Sequence, residues 1–372
     1  MADNPPKILG GIMYKGKVEI KETTSEDLSN VMELWNNGNV MFYVGFPNGF
    51  GVTMQYLEEW LKGVNQNKYR KNYSVYAEDL GYCGETYYSI DCKNDLAALD
   101  IKMLPKAQGK GIAEYSLRYA ISKVFDQKLA TRAYVDPHPD NKAAWKLYKK
   151  LGFISKPRPD FLEPEPTYLE ITPDIYNKWG IVAEDEYIIL RELREADIED
   201  DIRWNTIDTK WQLWDAPWEY GGSEPRDWRK DIERKKDSLK YPKPMNRLHS
   251  RLEIYINGEK QTHIGSLCHY YIDKNCEYTK EKERCTVGID ICDYNYWGKG
   301  LGAKALKLYI QYLFDYGFTE VYTQTWSGNE RMVKLAEKLG FKEVKREVGI
   351  RKVRGKTYDG LTFCLKANDY IK

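Results

Sequence analysis

The chain repeats itself. The stretch QGKGIAEYSLRYAI, starting at Gln108, and the stretch WGKGLGAKALKLYI, starting at Trp297, both set two glycines one residue apart at the mouth of an amphipathic helix. Downstream, DNKAAWKLYKKLGF ends at Leu151–Phe153 and GNERMVKLAEKLGF at Leu339–Phe341, with a single-residue difference in the intervening loop as the only gap. Two matched motifs at a matched separation mean a duplication with an offset of roughly 190 residues, which dictates two copies of one fold. A chain of 372 residues has room for two domains of about 150–200 residues each.

Periodicity outlines the repeated unit. After Gly111 the apolar residues Ala113, Leu117, Ala120, Ile121 and Val124 fall on one helical face, and Leu306, Ile310 and Leu313 match them in the second copy. The next helix carries Ala144, Leu147, Tyr148 and Leu151, mirrored by Met332, Leu335, Ala336 and Leu339, and both end at glycine, Gly152 and Gly340. Strand-like runs precede these helices: YSVYAE, GYCGETYYSI and AALDIKML in the first half, RLEIYING, HIGSLCHYYI and CTVGIDIC in the second. Each half opens with a strand and a helix, VEIKETTSEDLSNVMELW and YIILRELREADIEDDIRW, with Thr24 or Ser25 as N-cap in the first. The order is strand, helices, three strands, helix, strand, helix, two strands, twice. This is an α+β class with a mixed central sheet flanked by helices in each domain. The junction is expected at residues 173–185, giving domains at 1–175 and 183–372, with the Pro-rich KPRPDFLEPEP a loop inside the first.

Composition narrows the partners. A formal net charge of +1 offers no bulk attraction to nucleic acid or acidic membranes. No apolar run is long enough to span a bilayer, and MADNPPKILGG lacks the pattern of a signal peptide, so a cytoplasmic location is expected. The seven cysteines are scattered, odd in number and never in a C-x-x-C pair, which suits reduced thiols and no metal site.

The glycine turn feeding a helix suggests an anion. A helix N-terminus presents unpaired N–H groups and a partial positive charge, and glycines before it let the backbone approach a phosphate or diphosphate closely. A phosphate loop of the G-x-x-x-x-G-K-[ST] type is excluded because Lys110 and Lys299 are each followed by Gly. The dinucleotide fingerprint G-x-G-x-x-G fails as well. QGKGIA, with its helix and the downstream Asn helix ending in L-G-F, resembles the GNAT superfamily of N-acetyltransferases in two tandem copies covering nearly the whole chain. The second copy, with GIDICDYNYWGKGLG and RKVRGKTYDGLTFCLKANDY, resembles the branch acting on ribosomal-protein N-termini and polyamines.

The resemblance implies acetyl-CoA as the cofactor, its diphosphate held by the backbone of Gln108, Gly109, Lys110, Gly111, Ile112 and Ala113, and of Trp297, Gly298, Lys299, Gly300, Leu301 and Gly302. Trp297 departs from the usual Gln or Arg. The preceding strands, ending near Met103 and Ile291, would pair with the pantetheine arm. Asn141 and Asn329 match a cofactor-touching position, and both also read as simple helix caps. Tyr148 stands at the family's general-acid position, although it lies on the apolar stripe, and the second copy has Ala336 there. Acetyl transfer needs a neutral amine, donors for the oxyanion and a proton for the thiolate.

Glu85, an acid mid-strand among aromatics, is the expected base. Asp100 and Asp290 read as matched residues of the cofactor strand, and His269 as a base candidate in the second half. The resemblance implies an amine as the acceptor. In the second half RWNTIDTKWQLWDAPWEYGGSEPRDW interleaves Trp204, Trp211, Trp214, Trp218 and Trp228 with Asp215, Glu219 and Glu224, which suits a cationic amine as well as plain aromatic packing. The matching region of the first half, MFYVGFPNGFGV, is aromatic and uncharged, so the halves are expected to differ in acceptor. An acyl-CoA-binding or scaffolding protein with one or both halves inactive is the alternative.

Overall fold

A computed structural model describes residues 14, 16–221, 226–239 and 248–370. The chain divides into two compact units with the boundary between Trp179 and Gly180. In the first, β1 (Val18–Glu22) leads into α1 (Leu28–Trp35), α2 (Gly38–Met41) and α3 (Met54–Gln66). Then come β2 (Arg70–Ala77), β3 (Gly81–Asp91), β4 (Leu96–Met103), α4 (Ile112–Asp126), β5 (Ala133–Val135) and α5 (Lys142–Lys150). The unit closes with β6 (Ile154–Ser155), β7 (Leu169–Ile171) and α6 (Pro173–Tyr176).

The second unit repeats that order with additions. It begins with β8 (Ile181–Glu184) and β9 (Ile188–Arg191), then α7 (Asp197–Thr206), α8 (Pro217–Tyr220) and α9 (Trp228–Leu239). β10 (Arg251–Ile256), β11 (Thr262–Ile272), β12 (Tyr278–Thr279) and β13 (Arg284–Ile291) follow. α10 (Leu301–Asp315), β14 (Glu320–Trp326), α11 (Glu330–Lys338), β15 (Lys342–Val353) and β16 (Lys356–Lys366) complete it. The strand β8, which sequence reading left inside the junction, extends the second sheet by pairing with β9.

The sheets run β1-β2-β3-β4-β5-β7-β6 and β15-β16-β14-β13-β11-β10-β9-β8, with β12 beside β11. Both are antiparallel except at one place, where β4 meets β5 and β13 meets β14 in parallel. That pairing is short: Ala97 and Ala98 face Ala133 and Tyr134, and Thr286 and Val287 face Tyr322 and Thr323. Beyond Ala98 and Val287 the strands separate, leaving a wedge between them and unpaired backbone on β4 and β13. The helices form where the apolar stripes lie. Leu117, Ala120, Ile121 and Val124 of α4, and Leu306, Ile310 and Leu313 of α10, are wholly buried against their sheets. No described helix is long and apolar enough to cross a membrane.

Each sheet is also kinked at a matched glycine. Gly84 (φ +152) and Gly265 (φ +155) sit where the register of β2–β3 and β10–β11 shifts. A Cβ on Gly84 would lie 2.1 Å from the Lys102 carbonyl oxygen, and one on Gly265 2.0 Å from that of Asp290, so neither position accepts a side chain. The bulge fixes which residues face each other. Glu85 lies opposite Lys102, and Ser266 opposite Asp290. Asp290 is therefore the counterpart of Lys102, and Asp100 that of Gly288. This corrects the pairing of Asp100 with Asp290 expected from the D-I dipeptides, because ladder register and not the dipeptide sets equivalence.

Candidate active site

The wedge ends on the glycine turns. Gly109, Gly111, Gly298 and Gly300 all have φ between +72° and +82°, the left-handed region that favours glycine. Among the described residues the N–H groups of Gly109–Gly111 and Gly298–Gly300 have no backbone acceptor. They stand at the N-termini of α4 and α10, where the helix dipoles add positive potential. Gln108 and Trp297, chemically unlike, do one job. The Gln108 Nε2 donates to the Met103 carbonyl at 3.0 Å, and the Trp297 Nε1 donates to the Ile291 carbonyl at 2.7 Å. Each ties the turn to the end of its strand. Asn141 and Asn329 cap α5 and α11 by accepting from the N–H groups of Ala144 and Met332, both at 3.1 Å. Asn329 also donates to the Trp214 carbonyl at 2.7 Å.

In the second unit the wedge opens into a cavity of about 1040 Å³. Ile291, Trp297, Gly298, Gly300, Leu301, Gly302 and Asn329 line it, together with Trp214, Asp215, Trp218 and Asp290. Its basic lining comes chiefly from Arg331, Lys334 and Lys338 of α11. Two of the expected tryptophan faces are already covered by the protein's own cations. Arg331 lies between Trp214 and Trp297, at 4.8 and 4.3 Å, and Arg351 sits 4.4 Å over Trp218. The rings thus serve as walls, and Trp204 is buried core. Glu224 lies outside the described residues.

Asp290 has no hydrogen-bond or ion-pair partner among the described residues. Burial, and then the neighbouring charge of Asp215, push its carboxyl well above the usual carboxylate range. Burial, followed by repulsion from the charge of Glu219, brings Asp215 up to about 6. The sequence ranks Asp290, with Asp100, behind Glu85 as a base, and gives Asp215 no part in proton transfer. The signal was the acid in GIDIC, obscured by matching it to Asp100.

Beneath this site the sheet carries a closed ionic network. Glu253, wholly buried, accepts from Arg251 Nε and faces His263 Nε2, both at 3.3 Å, while His263 Nδ1 meets Asp200 at 3.1 Å. Burial alone would lower the His263 pKa, but these carboxylates hold it up to about 10. The folded value lies above the ordinary one near 6.5, so the stabilisation is complete below that pH and lost as pH rises through 10. A fall in the thermal midpoint between those pH values, absent in His263→Gln, is the expected result of pH-dependent melting. His269, in contrast, is bonded to Tyr309 at 2.8 Å in the core beside α10, and burial lowers it to about 4. It is not among the residues that line the cavity.

The corresponding place in the first unit has the opposite charge. Glu85 is buried and accepts from Trp35 Nε1 at 2.8 Å and Asn72 Nδ2 at 3.4 Å, with Lys102 Nζ at 3.4 Å. Lys102 also pairs with Asp100. Tyr148 packs on Phe153, and its hydroxyl makes no hydrogen bond among the described residues. Burial, then the charges of Asp100 and Asp136, push its pKa up, so the phenol keeps its proton. Ala336, its counterpart, is plain core.

A family model described as the acetyltransferase (GNAT) domain matches residues 17–154 and again 188–342. The chain belongs to the GNAT acetyltransferase family, as a tandem of two domains. An uncharacterized protein of Methanocaldococcus jannaschii is 26% identical over 180 residues, which is 48% of this chain and 32% of that protein. The chain thus matches about a third of the length of this curated relative. Among solved structures, the spermidine N-acetyltransferase of Vibrio cholerae with CoA and spermine aligns at a TM-score of 0.37 and 20% identity, over 43% of this chain and 98% of that one. A ribosomal L7/L12 α-N-protein acetyltransferase with CoA aligns at 0.37 and 15%, over 43% and 97%. Each covers one GNAT domain.

Proposed function

We propose that the protein is a cytoplasmic N-acetyltransferase that moves an acetyl group from acetyl-CoA to a primary amine, with a cationic amine as the acceptor of the second domain. Acetyl-CoA supplies the activated thioester. The residues of both glycine turns, Gln108–Ala113 and Trp297–Gly302, would hold its diphosphate on their N–H groups, and the open edges of β4 and β13 near Met103 and Ile291 would take its arm. The observation that carries the reading is the Asp290 carboxylate, unpartnered among the described residues in a cavity that the glycine turn at Gly298 and Gly300 also lines. An amine arrives as an ammonium and must lose a proton before it attacks. A carboxyl with a raised pKa accepts that proton near neutral pH better than an ordinary aspartate. Asp215 strengthens the effect and supplies a second negative charge for the incoming cation. Were a thiolate to leave in the first domain, Tyr148, whose phenol keeps its proton, would be the group to protonate it.

The test is acetyl-CoA consumption by the full chain with a panel of amines differing in charge. Diamines and other cations should be preferred, and Asp215→Asn should raise their KM about tenfold or more, since one charged hydrogen bond is worth roughly 1.5–3 kcal/mol. CoA affinity should not change. Equal turnover of neutral and cationic amines by wild type and variant would remove the assignment of the acceptor.

A further inference from the structure

The two domains present opposite charges at the one position the bulge makes equivalent. Lys102 follows the Gly84 bulge in register as Asp290 follows the Gly265 bulge, each one residue before the end of the strand that borders the wedge. Lys102 leaves β4 on the face covered by α1, because it meets Glu85 where the Trp35 indole also lands. Its ammonium is largely buried and held between Glu85 and Asp100. Asp100 in turn is one of the two carboxylates that act on the Tyr148 phenol. Lys102 thus bridges Glu85 and Asp100, and Tyr148 lies within electrostatic reach of Asp100. Glu85, the carboxylate expected as the base of this domain, already has Trp35, Asn72 and Lys102 as partners.

We propose that the Lys102 ammonium occupies the place of the acceptor amine in the first domain, so that this domain binds acyl-CoA without transferring its acetyl group to free amines. The inference rests on the reading of the turns as CoA sites. An ammonium has no lone pair and cannot attack. Glu85, already bonded to Trp35 and Asn72 and paired with Lys102, is not open to a second amine. Division of labour follows: the second domain performs the transfer, and the first is a ligand-binding module whose own lysine guards the acceptor position.

The arrangement provides a test that needs no identified acceptor. If Lys102 sits where an acceptor amine sits, weakening its carboxylate partners should turn it into one. In Asp100→Asn and in Asp100→Asn/Glu85→Gln, each unit by which its pKa falls gives about tenfold more neutral amine. Lys102 Nζ would then attack the thioester carbonyl. The N–C bond forms as the C–S bond breaks, the nitrogen gives its surplus proton to solvent, and the thiolate leaves as thiol with a proton from Tyr148. The full-length protein is incubated with acetyl-CoA and digested, and acetylation of Lys102 is measured by mass spectrometry against the exposed Lys106. CoA binding is measured by calorimetry in the same preparations.

The expected result is unmodified Lys102 in wild type, acetylated Lys102 in the variants about tenfold or more above Lys106, and loss of that excess when Tyr148→Phe is added. Lys102→Arg, which keeps the charge, should stay silent. CoA bound at the first turn with Lys102 no more acetylated than Lys106 in both variants overturns the occupancy. Acetylation of free amines at the first site of Gly300→Val overturns the silence of this domain and leaves the CoA reading intact. Absence of CoA from the first turn in wild type overturns that reading and this inference with it.

Discussion

Asp290→Asn is expected to lower turnover of a cationic amine by about 100- to 10,000-fold, the usual share of a positioned acid or base, and at the same time to make the protein more stable at neutral pH. The two effects have one cause. A carboxyl whose folded pKa is raised above its unfolded value holds a proton that the unfolded chain releases, so stability falls as pH climbs from the unfolded pKa to the folded one. For Asp215 that window runs from 3.8 to about 6, and Asp290 extends it upward in the same sense. At about 1.4 kcal/mol per unit, discounted for contact with solvent, the Asp215 shift alone costs on the order of 1–3 kcal/mol at pH 7.5, and Asp290 adds its own cost in the same sense. Asparagine at position 290 has nothing to ionise and recovers the Asp290 share. Thermal melts should show Asp290→Asn above wild type at pH 7.5, with the gap closing toward about pH 4, where the unfolded chain also keeps the proton. Calorimetry should find CoA affinity unchanged. A variant that melts below wild type at neutral pH and turns over normally would identify Asp290 as an ordinary structural carboxylate.

The same residue marks the limit of what the sequence discloses. The helical stripes through Leu117 and Leu306, the glycine turns and the strand order are all visible in the sequence, because each depends on spacing within one element. Register between elements is not local. The D-I dipeptides at Asp100 and Asp290 suggest equivalence, but the Gly84 and Gly265 bulges place Asp290 opposite Ser266 and Lys102 opposite Glu85. A two-residue shift reverses the charge at the wedge. Trp297 shows the converse. As a departure from Gln it looks like a weakened turn, yet its indole N–H makes the bond that Gln108 makes with its amide. The function of that position is to donate one hydrogen bond to the end of the strand, and residue type hides it. The tryptophans of the acceptor region illustrate a third limit. Composition suggests open ring faces for a cationic ligand, whereas Arg331 and Arg351, distant in sequence, cover two of them.

Gly111→Val and Gly300→Val should each remove one of two CoA equivalents per chain. The left-handed φ of +82° and +77° costs an L-residue about 1–2 kcal/mol, and a β-branched side chain more. The turn can relieve that strain only by leaving the conformation that aims its N–H groups outward. A Cβ built on Gly300 meets nothing within 4 Å, so the substitution creates no clash with the protein itself. The added methyls instead enter the open space before the helix N-terminus, where a diphosphate would lie. Each charge-assisted hydrogen bond lost is worth about 1.5–3 kcal/mol, so losing two lowers affinity about a hundredfold or more. Titration calorimetry should read a stoichiometry of two in wild type, one in each single variant and none in the double. The melting temperature, which reports the backbone strain alone, should fall by only a few degrees. Amine acetylation by the second domain should disappear with Gly300→Val and persist in Gly111→Val, since the two turns serve different wedges. Two equivalents retained in both variants would mean that the glycines shape the start of the helix and hold no diphosphate.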